Sequence, residues 1–389
     1  MRRLIAAALA TALLPAPATA ETLAPLPPYA AAYQPVTVDE RGLWQQADEH
    51  ERALRDSPAV IRDAALNAYV RGVLCHAVGE DRCRAVRLYI VRVPAFNASM
   101  SPNGTMIVWT GLLLRVRNEA ELAAILGHEF GHFELRHSLS SFKRARTTTD
   151  IMSWASVLAP YNSGSLATSL IGLHFSYGRT QESDADLMGL RYMRAARYRP
   201  AAFPRVWERM MAETDASALG RRRKVTHRYS AGFFDSHPTE LARAANLRAA
   251  AGAEIDTGEE GVDPFLAAMR AWRPQFLADQ IKLNDFGGSE YLLGQLADRD
   301  WSPDLLFARA ELYRERGNPR DLVSAAEFYR EAIDRGFDDP IAWRGLGVSL
   351  LRAQQAEAGR AALTTYLERA PQATDRAAMS MLIGPGDVK

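Results

Sequence analysis

Apolar residues recur every three to four positions over most of the chain, a spacing that predicts amphipathic helices. The pattern predicts one helix from about residue 38 to Arg55 and a second that starts with Ser57 as N-cap and Pro58 in its first turn. A third follows the N-cap Asn118, over EAELAAILGHEFGHFELRH, and a fourth covers RTQESDADLMGLRYMRAA. The chain is therefore expected to be mainly helical.

Two short segments have the composition of strands instead. Residues 85–94, AVRLYIVRVP, are rich in β-branched side chains and predict a strand that ends at Pro94. A turn at residues 102–104, PNG, then leads into a second predicted strand, Met106–Thr110. The fold class expected is α+β, with a small β-sheet in a mainly helical domain.

The last third of the chain contains two predicted helix pairs and no strands. The second pair, at 340–371, has the spacing of small and large residues typical of a tetratricopeptide repeat, and the first matches it loosely. Such repeats usually bind peptides or proteins on a concave face. The matching positions are Trp343, Leu346, Gly347, Leu350, Gly359, Leu363, Tyr366 and Pro371.

The N-terminus has the features of a secretory signal peptide. Arg2 and Arg3 precede a short apolar run, and Ala18 and Ala20 fit a cleavage site after residue 20. Export is expected, to a periplasm or to an extracellular space, with a peripheral membrane location as an alternative, and no transmembrane segment is expected in the mature chain. The domains expected are a signal peptide at 1–20, a flexible N-terminus at 21–37, a catalytic domain at 38–252, a linker at 253–264, a repeat domain at 265–377 and a tail at 378–389.

Composition, net charge and the two cysteines further limit the class of protein and the partners to be expected. The chain is 48% hydrophobic and 24% charged with a formal net charge of +1, so a globular protein without a nucleic-acid partner is expected. In an oxidising compartment, Cys75 and Cys83 can close a small disulfide loop; two unlinked thiols are the alternative. The apolar segment 151–175 is either a buried helical hairpin or a contact with a membrane surface.

The stretch LGHEFGHFELRH carries the strongest chemical signal. His128 and His132 are four residues apart, so on a helix both rings project from one face and can bind one Zn²⁺ ion. Glu129 points about 100° away, which suits a general base acting on water. Gly131 allows close approach of a substrate strand or of another helix. Exposure of all these groups on a wet helix face is the alternative.

A catalytic zinc site needs a third protein ligand, and ESDAD supplies a candidate. Glu182 and Asp186 are four residues apart on one predicted helix face. Glu182 is the expected anionic ligand, and Asp186 is expected to accept the remaining N–H of a ligand histidine. Taken alone, these residues and Asp184 would be read as solvated carboxylates; combined with the upstream motif they favour one zinc ion per chain.

HEFGH followed by QESDADLMG resembles the gluzincin zinc metallopeptidases of the CAAX-prenyl-protease and heat-shock-protease-X family. VPAFNASMSPNGTMIVWTGLL and DSHPTELAR are similar to that family as well. The resemblance implies a zincin-type domain with His128, His132 and Glu182 as zinc ligands, Glu129 as general base and Asp186 orienting a ligand. It also singles out His237 and Arg243 as candidate catalytic groups near the zinc; a loop histidine and a surface salt bridge are the alternatives.

Together these features predict a zinc endopeptidase that degrades unfolded or misassembled envelope proteins. Glu129 is expected to take a proton from the attacking water and to pass it to the leaving amine. The strand Met106–Thr110 is expected to pair with an extended substrate, with Asn97 and Ala98 at the rim of the cleft. The repeats are expected to contact envelope or outer-membrane assembly proteins. The alternative is a chaperone-like scaffold with a latent or structural zinc site.

Overall fold

The computed structural model describes residues 24–147, 177–225, 241–298 and 300–384. The predicted signal peptide, the apolar segment 151–175 and His237 lie outside the described residues. Within them, the chain is mostly helical with one small sheet, in agreement with the predicted α+β class.

The N-terminal part consists of helices and a three-stranded sheet in mixed order along the chain. Its first helix ends near the position predicted from the sequence. The elements are α1 (Val38–Asp56), α2 (Ala64–Val78), α3 (Glu80–Cys83), β1 (Arg87–Val91), β2 (Ala98–Met100), β3 (Thr105–Trp109) and α4 (Thr110–Arg115). Cys75 and Cys83 are joined in a disulfide that ties the end of α2 to α3.

The predicted start of the second helix at Ser57 is wrong. Asp63 caps α2, with its side chain accepting a hydrogen bond from the Leu66 amide. Residues 57–62 instead run along the edge of β1, where the Ile61 amide donates to the Ile90 carbonyl at 2.8 Å and Val60 forms a bridge with Val91. β-branched Val60 and Ile61 suit this extended backbone, which covers the outer edge of β1.

The sheet has the order β1-β3-β2, with β1 parallel and β2 antiparallel to β3. Since β3 has a partner on both sides, the predicted pairing of Met106–Thr110 with a substrate is wrong. The strand that the sequence did not resolve, β2, forms the edge. The Asn97 carbonyl accepts from Trp109 and the Ser101 amide donates to Thr105, so the alternate backbone groups of Ala98 and Met100 face away from β3.

The helices that follow the sheet surround the candidate site and continue into the last third of the chain. They are α5 (Glu119–Glu134), α6 (His137–Thr147), α7 (Arg179–Ala195), α8 (Ala202–Gly220), α9 (Leu241–Ala251), a 3-10 turn (Gly252–Glu254), α10 (Val262–Met269), α11 (Arg273–Ile281), α12 (Phe286–Ala297), α13 (Pro303–Arg316), α14 (Pro319–Asp334), α15 (Ile341–Arg352), α16 (Ala356–Arg369) and α17 (Arg376–Ile383). None of the helices described is long and apolar enough to span a bilayer.

The predicted helix pairs are present as α13 with α14 and α15 with α16. Small residues lie where the helices meet: a Cβ on Gly347 would come within 2.7 Å of Leu363, and one on Gly345 within 2.3 Å of Tyr329. Larger side chains at either glycine would push the helices apart. The assignment of these pairs to the tetratricopeptide class stays a prediction.

Two segments predicted to be loosely attached are anchored to the N-terminal part. In the predicted linker, the Ala120 amide donates to the Glu260 carbonyl at 3.0 Å, and the Glu260 carboxylate pairs with Arg199 at 3.2 Å. In the predicted flexible N-terminus, the Pro27 carbonyl accepts from Arg82 at 2.7 Å. One buried apolar core continues from α2 to α13. The predicted domain boundaries stay a prediction.

Candidate metal and catalytic site

The helix that carries the HExxH motif is buried along almost its whole length. The Asn118 side chain caps it by accepting from the Glu121 amide at 2.9 Å, as its sequence predicts. His128, Glu129 and His132 are each no more than 1% exposed. Exposure on a wet face, the alternative drawn from the sequence, is therefore wrong, and these polar groups need partners inside the protein.

Glycines let α5 and α7 approach closely enough for their polar residues to meet. A Cβ on Gly131 would lie 3.2 Å from the Ala185 carbonyl oxygen, and one on Gly189 would lie 3.3 Å from the His128 amide nitrogen. Gly131 therefore serves the packing of the two helices. This contact places the carboxylates of α7 beside the imidazoles of α5.

His128, His132 and Glu182 converge on one point. The two Nε2 atoms are 3.1 Å apart, and the Glu182 oxygens lie 3.6 Å from His128 Nε2 and 3.4 Å from His132 Nε2. Ligand atoms around a tetrahedral Zn²⁺ are separated by about 3.3 Å, given bond lengths near 2.0–2.1 Å. The three side chains thus fit a metal ion in spacing, in chemistry and in burial.

Asp186 fixes the orientation of the first histidine. Its Oδ1 lies 3.0 Å from His128 Nδ1, so that nitrogen carries the proton and leaves the Nε2 lone pair toward the metal position. Although burial raises the pKa of Asp186, the charge of Arg243 and the hydrogen bond from His128 outweigh it and hold the pKa below its usual value. The carboxylate is therefore ionised.

Arg243, on α9, is buried between two carboxylates. It donates to both oxygens of Asp186 at 2.7 and 2.8 Å, and its Nη1 lies 2.7 Å from Glu182 Oε2. It is thus no surface salt bridge. Arg243 thus contacts both the candidate ligand Glu182 and the carboxylate beside His128; direct contact with a reacting oxyanion stays a prediction.

A residue that the sequence did not single out orients the second histidine. The Nδ1 atoms of His132 and His137 are 2.8 Å apart, and His137 is 6% exposed. Burial, with His128 nearby, lowers the pKa of His137 to about 4, so its ring is neutral. With His132 Nε2 as a metal ligand, its Nδ1 would carry the proton and donate to His137.

The chain direction explains how His137 reaches this position. The α5 helix ends at Glu134, and Arg136 adopts a left-handed conformation with φ 56° before α6 begins. The reversal brings His137 back against the ring five residues earlier. Gln181 of α7 holds the corner by donating to the His137 carbonyl at 3.2 Å, and Tyr177 stacks on His132 with ring centres 3.9 Å apart.

Replacing His137 with alanine is expected to weaken zinc binding by roughly 10- to 100-fold, because His132 loses the acceptor that holds its tautomer and ring orientation. Competition with a zinc chelator measures the dissociation constant. His76→Ala, at an exposed histidine of α2, is the matched control and should change nothing. Unaltered zinc affinity in His137→Ala would show that His137 only fills space.

Asn97 and Ala98 lie at the edge strand, although their side chains are buried. Ala98 begins β2 and is 1% exposed, and Asn97 precedes it and is 6% exposed. These values cover the whole residue, so backbone and side chain are both buried in this structure. Their role in substrate binding stays a prediction.

The amino-acid sequence around this site is similar to those of known proteins. The profile of peptidase family M48 matches residues 62–251, which include every described residue of the site. This segment is similar to peptidase family M48. The match supports the hydrolase chemistry predicted from HExxH.

Curated relatives support the same class. Mitochondrial metalloendopeptidase OMA1 from Schizosaccharomyces pombe is 33% identical over 162 residues, which cover 41% of this chain and 45% of the relative. OMA1 from Arabidopsis thaliana is 27% identical over 191 residues, or 46% of this chain and 36% of the relative. Beta-barrel assembly-enhancing protease from Escherichia coli K12 is 23% identical over 197 residues, or 47% and 40%. The chain thus spans less than half the length of these relatives.

Proposed function

We propose that the chain is a zinc-dependent endopeptidase that cleaves unfolded or misassembled proteins of the cell envelope in the periplasm. The observation that carries the proposal is the buried set of His128, His132 and Glu182, with Glu129 next to the first ligand. A structural zinc site does not need such a neighbouring carboxylate. The predicted export signal, the Cys75–Cys83 disulfide and the relatives named assembly-enhancing proteases support the compartment and the substrate class.

Each residue of the site has a separate proposed role in catalysis. His128, His132 and Glu182 would hold a Zn²⁺ ion, which when bound supplies the Lewis acidity that polarises the scissile carbonyl and acidifies water. Glu129 accepts a proton from the attacking water and returns it to the nitrogen of the leaving amine. Asp186 and His137 keep the two imidazoles in the required tautomers, and Arg243 holds both carboxylates in place. His237 is proposed to lie near the developing oxyanion.

The edge strand β2 suggests how a substrate is selected. The backbone groups of Ala98 and Met100 that point away from β3 are the proposed contact for an extended polypeptide, which would add a strand and be recognised by its main chain. Both residues are no more than 3% exposed in this structure, so binding requires that this edge be uncovered. A folded protein offers no such strand without unfolding first. The proposal therefore assigns selectivity to the conformation of the substrate.

This selectivity is tested with one protein in two states. We expect reduced, carboxymethylated α-lactalbumin to be cleaved roughly 100-fold faster than native α-lactalbumin, because a stable domain is unfolded only a small fraction of the time. Chelation should stop cleavage and Zn²⁺ should restore it. Equal rates for both states would contradict recognition of an extended main chain.

A chaperone-like scaffold is the second candidate, since apolar side chains remain exposed on the helix pairs. Val323 and Ile341 are each 41% exposed. In this case the chain binds unfolded clients and wild type cleaves none of them. Detection of products by mass spectrometry after incubation with Zn²⁺ separates the two candidates.

A further inference from the structure

A cavity lies between α4, α8 and the helices α10 to α13, away from the candidate metal ligands. Its volume is about 550 Å³. Apolar side chains form much of its wall, among them Leu113, Phe265, Leu266 and Phe276. Apolar walls with a few polar groups are typical of binding sites for small ligands or chain ends.

Three arginines line this same cavity: Arg117, Arg209 and Arg273. Arg209 pairs with Glu121 at 2.9 Å, whereas Arg117 and Arg273 form no ion pair with any carboxylate in the part of the chain that the structure describes. Burial and the charges of Arg209 and Arg273 lower the pKa of Arg117 to about 10. Asp298 and Asp300 also line the cavity, but neither forms an ion pair with Arg117 or Arg273, so a bound anion would relieve the repulsion between these two guanidinium groups and Arg209.

The rim of the cavity indicates which kind of anion fits. Gln295, Asp298 and Ser302 also line it and offer polar atoms beside the apolar wall. A fatty acid has only its carboxylate as a polar group and would leave these three polar side chains without a hydrogen-bond partner on the ligand. A peptide end has a carboxylate for the guanidinium groups, amide N–H groups for Asp298 and Gln295, and an apolar side chain for the wall.

We propose that this cavity binds the C-terminal carboxylate of a polypeptide whose last side chain is apolar. Arg117 and Arg273 bind the carboxylate, and the terminal side chain packs against Phe265 and Phe276. The site is separate from the zinc ligands and does not depend on proteolysis.

The site is nevertheless connected to the catalytic helix. Glu121, the partner of Arg209, is on α5 seven residues before His128, which is roughly 10 Å along the helix axis. Arg209 is on α8 two residues after Trp207, whose ring centre lies 5.9 Å from that of His128. A polypeptide end held here is thus held beside the elements that build the metal site.

The test measures binding in the Glu129→Gln variant without added metal, so that cleavage plays no part. The probe is fluorescein-Gly-Ala-Leu-Tyr-Phe with a free carboxylate, compared with the same peptide ending in an amide. We expect the free acid to bind at least roughly tenfold more tightly than the amide, because a hydrogen bond between charged groups is stronger than one to a neutral amide. Equal binding of acid and amide in the unsubstituted cavity would overturn the proposal.

Substitutions locate the effect. Arg117→Gln combined with Arg273→Gln should remove most of the preference for the acid, and Arg273→Lys, which keeps the charge without the planar fork, should remove part of it. Arg330→Gln, at an exposed arginine of α14, is the matched control and should leave the preference intact. An unchanged preference in the double variant, or displacement of the peptide by laurate at lower concentration than by unlabelled peptide, would reject the assigned occupant.

Discussion

Replacing Glu129 with glutamine is expected to lower kcat/KM for an unfolded protein by about 10²- to 10⁴-fold while leaving zinc content unchanged. Glutamine has the shape of glutamate and can hydrogen-bond to water, but it cannot accept the proton of the attacking water. The side chain is 1% exposed, so a neutral replacement of equal size should not disturb packing.

The measurement combines cleavage of carboxymethylated α-lactalbumin with zinc determination on the same samples. Glu327→Gln makes the same chemical change at an exposed position of α14 and should retain wild-type cleavage. A metal-loaded Glu129→Gln protein that cleaves at the wild-type rate would remove the proposed general base and with it the mechanism.

Replacing Glu182 with glutamine is expected to cost about 4 kcal/mol of zinc binding, roughly 10³-fold in affinity. This estimate divides an apparent zinc-binding free energy of 10–16 kcal/mol among the few ligands. The substitution also removes the carboxylate that Arg243 Nη1 contacts at 2.7 Å, although Asp186 still binds the same guanidinium. Both proteolysis and the stabilisation by zinc against thermal unfolding should be lost.

The control for this change lies two residues away. Asp184 is exposed on the same helix, so Asp184→Asn removes a carboxylate without touching the site and should keep zinc and activity. Thermal unfolding with and without Zn²⁺ reports binding independently of catalysis. If Glu182→Gln retains wild-type zinc affinity, the third ligand is a different residue.

Local sequence patterns predicted the parts of the site that depend on neighbours along one helix. His128 and His132 share a face because four residues make about one turn, and Glu182 and Asp186 share a face for the same reason. Asn118 and the apolar periodicity fixed the start of α5, and turn residues fixed the hairpin before β3. Ser57 failed as a helix start because the chain there pairs with a sheet edge, which local propensity does not register.

Tertiary structure decided which of these faces meet. His137 is not one turn from His132, and only the reversal at Arg136 brings the two rings to 2.8 Å. Arg243 is 57 residues from Asp186, and no spacing rule connects them. From its sequence, β3 is a plausible edge strand, but β2 pairs with it and makes it the central strand. β2 has only three residues, too few for a recognisable alternation of apolar and polar positions.

The sequence by itself determined the mainly helical class, the two helix faces that carry imidazoles and carboxylates, and the residue proposed as general base, because these follow from periodicity and side-chain chemistry. Only the tertiary structure decided that the faces converge, that β2 is the last strand of the described sheet, and that three arginines gather around one apolar cavity. These depend on contacts between residues far apart in the chain, which form when buried surfaces pack and which no local pattern encodes.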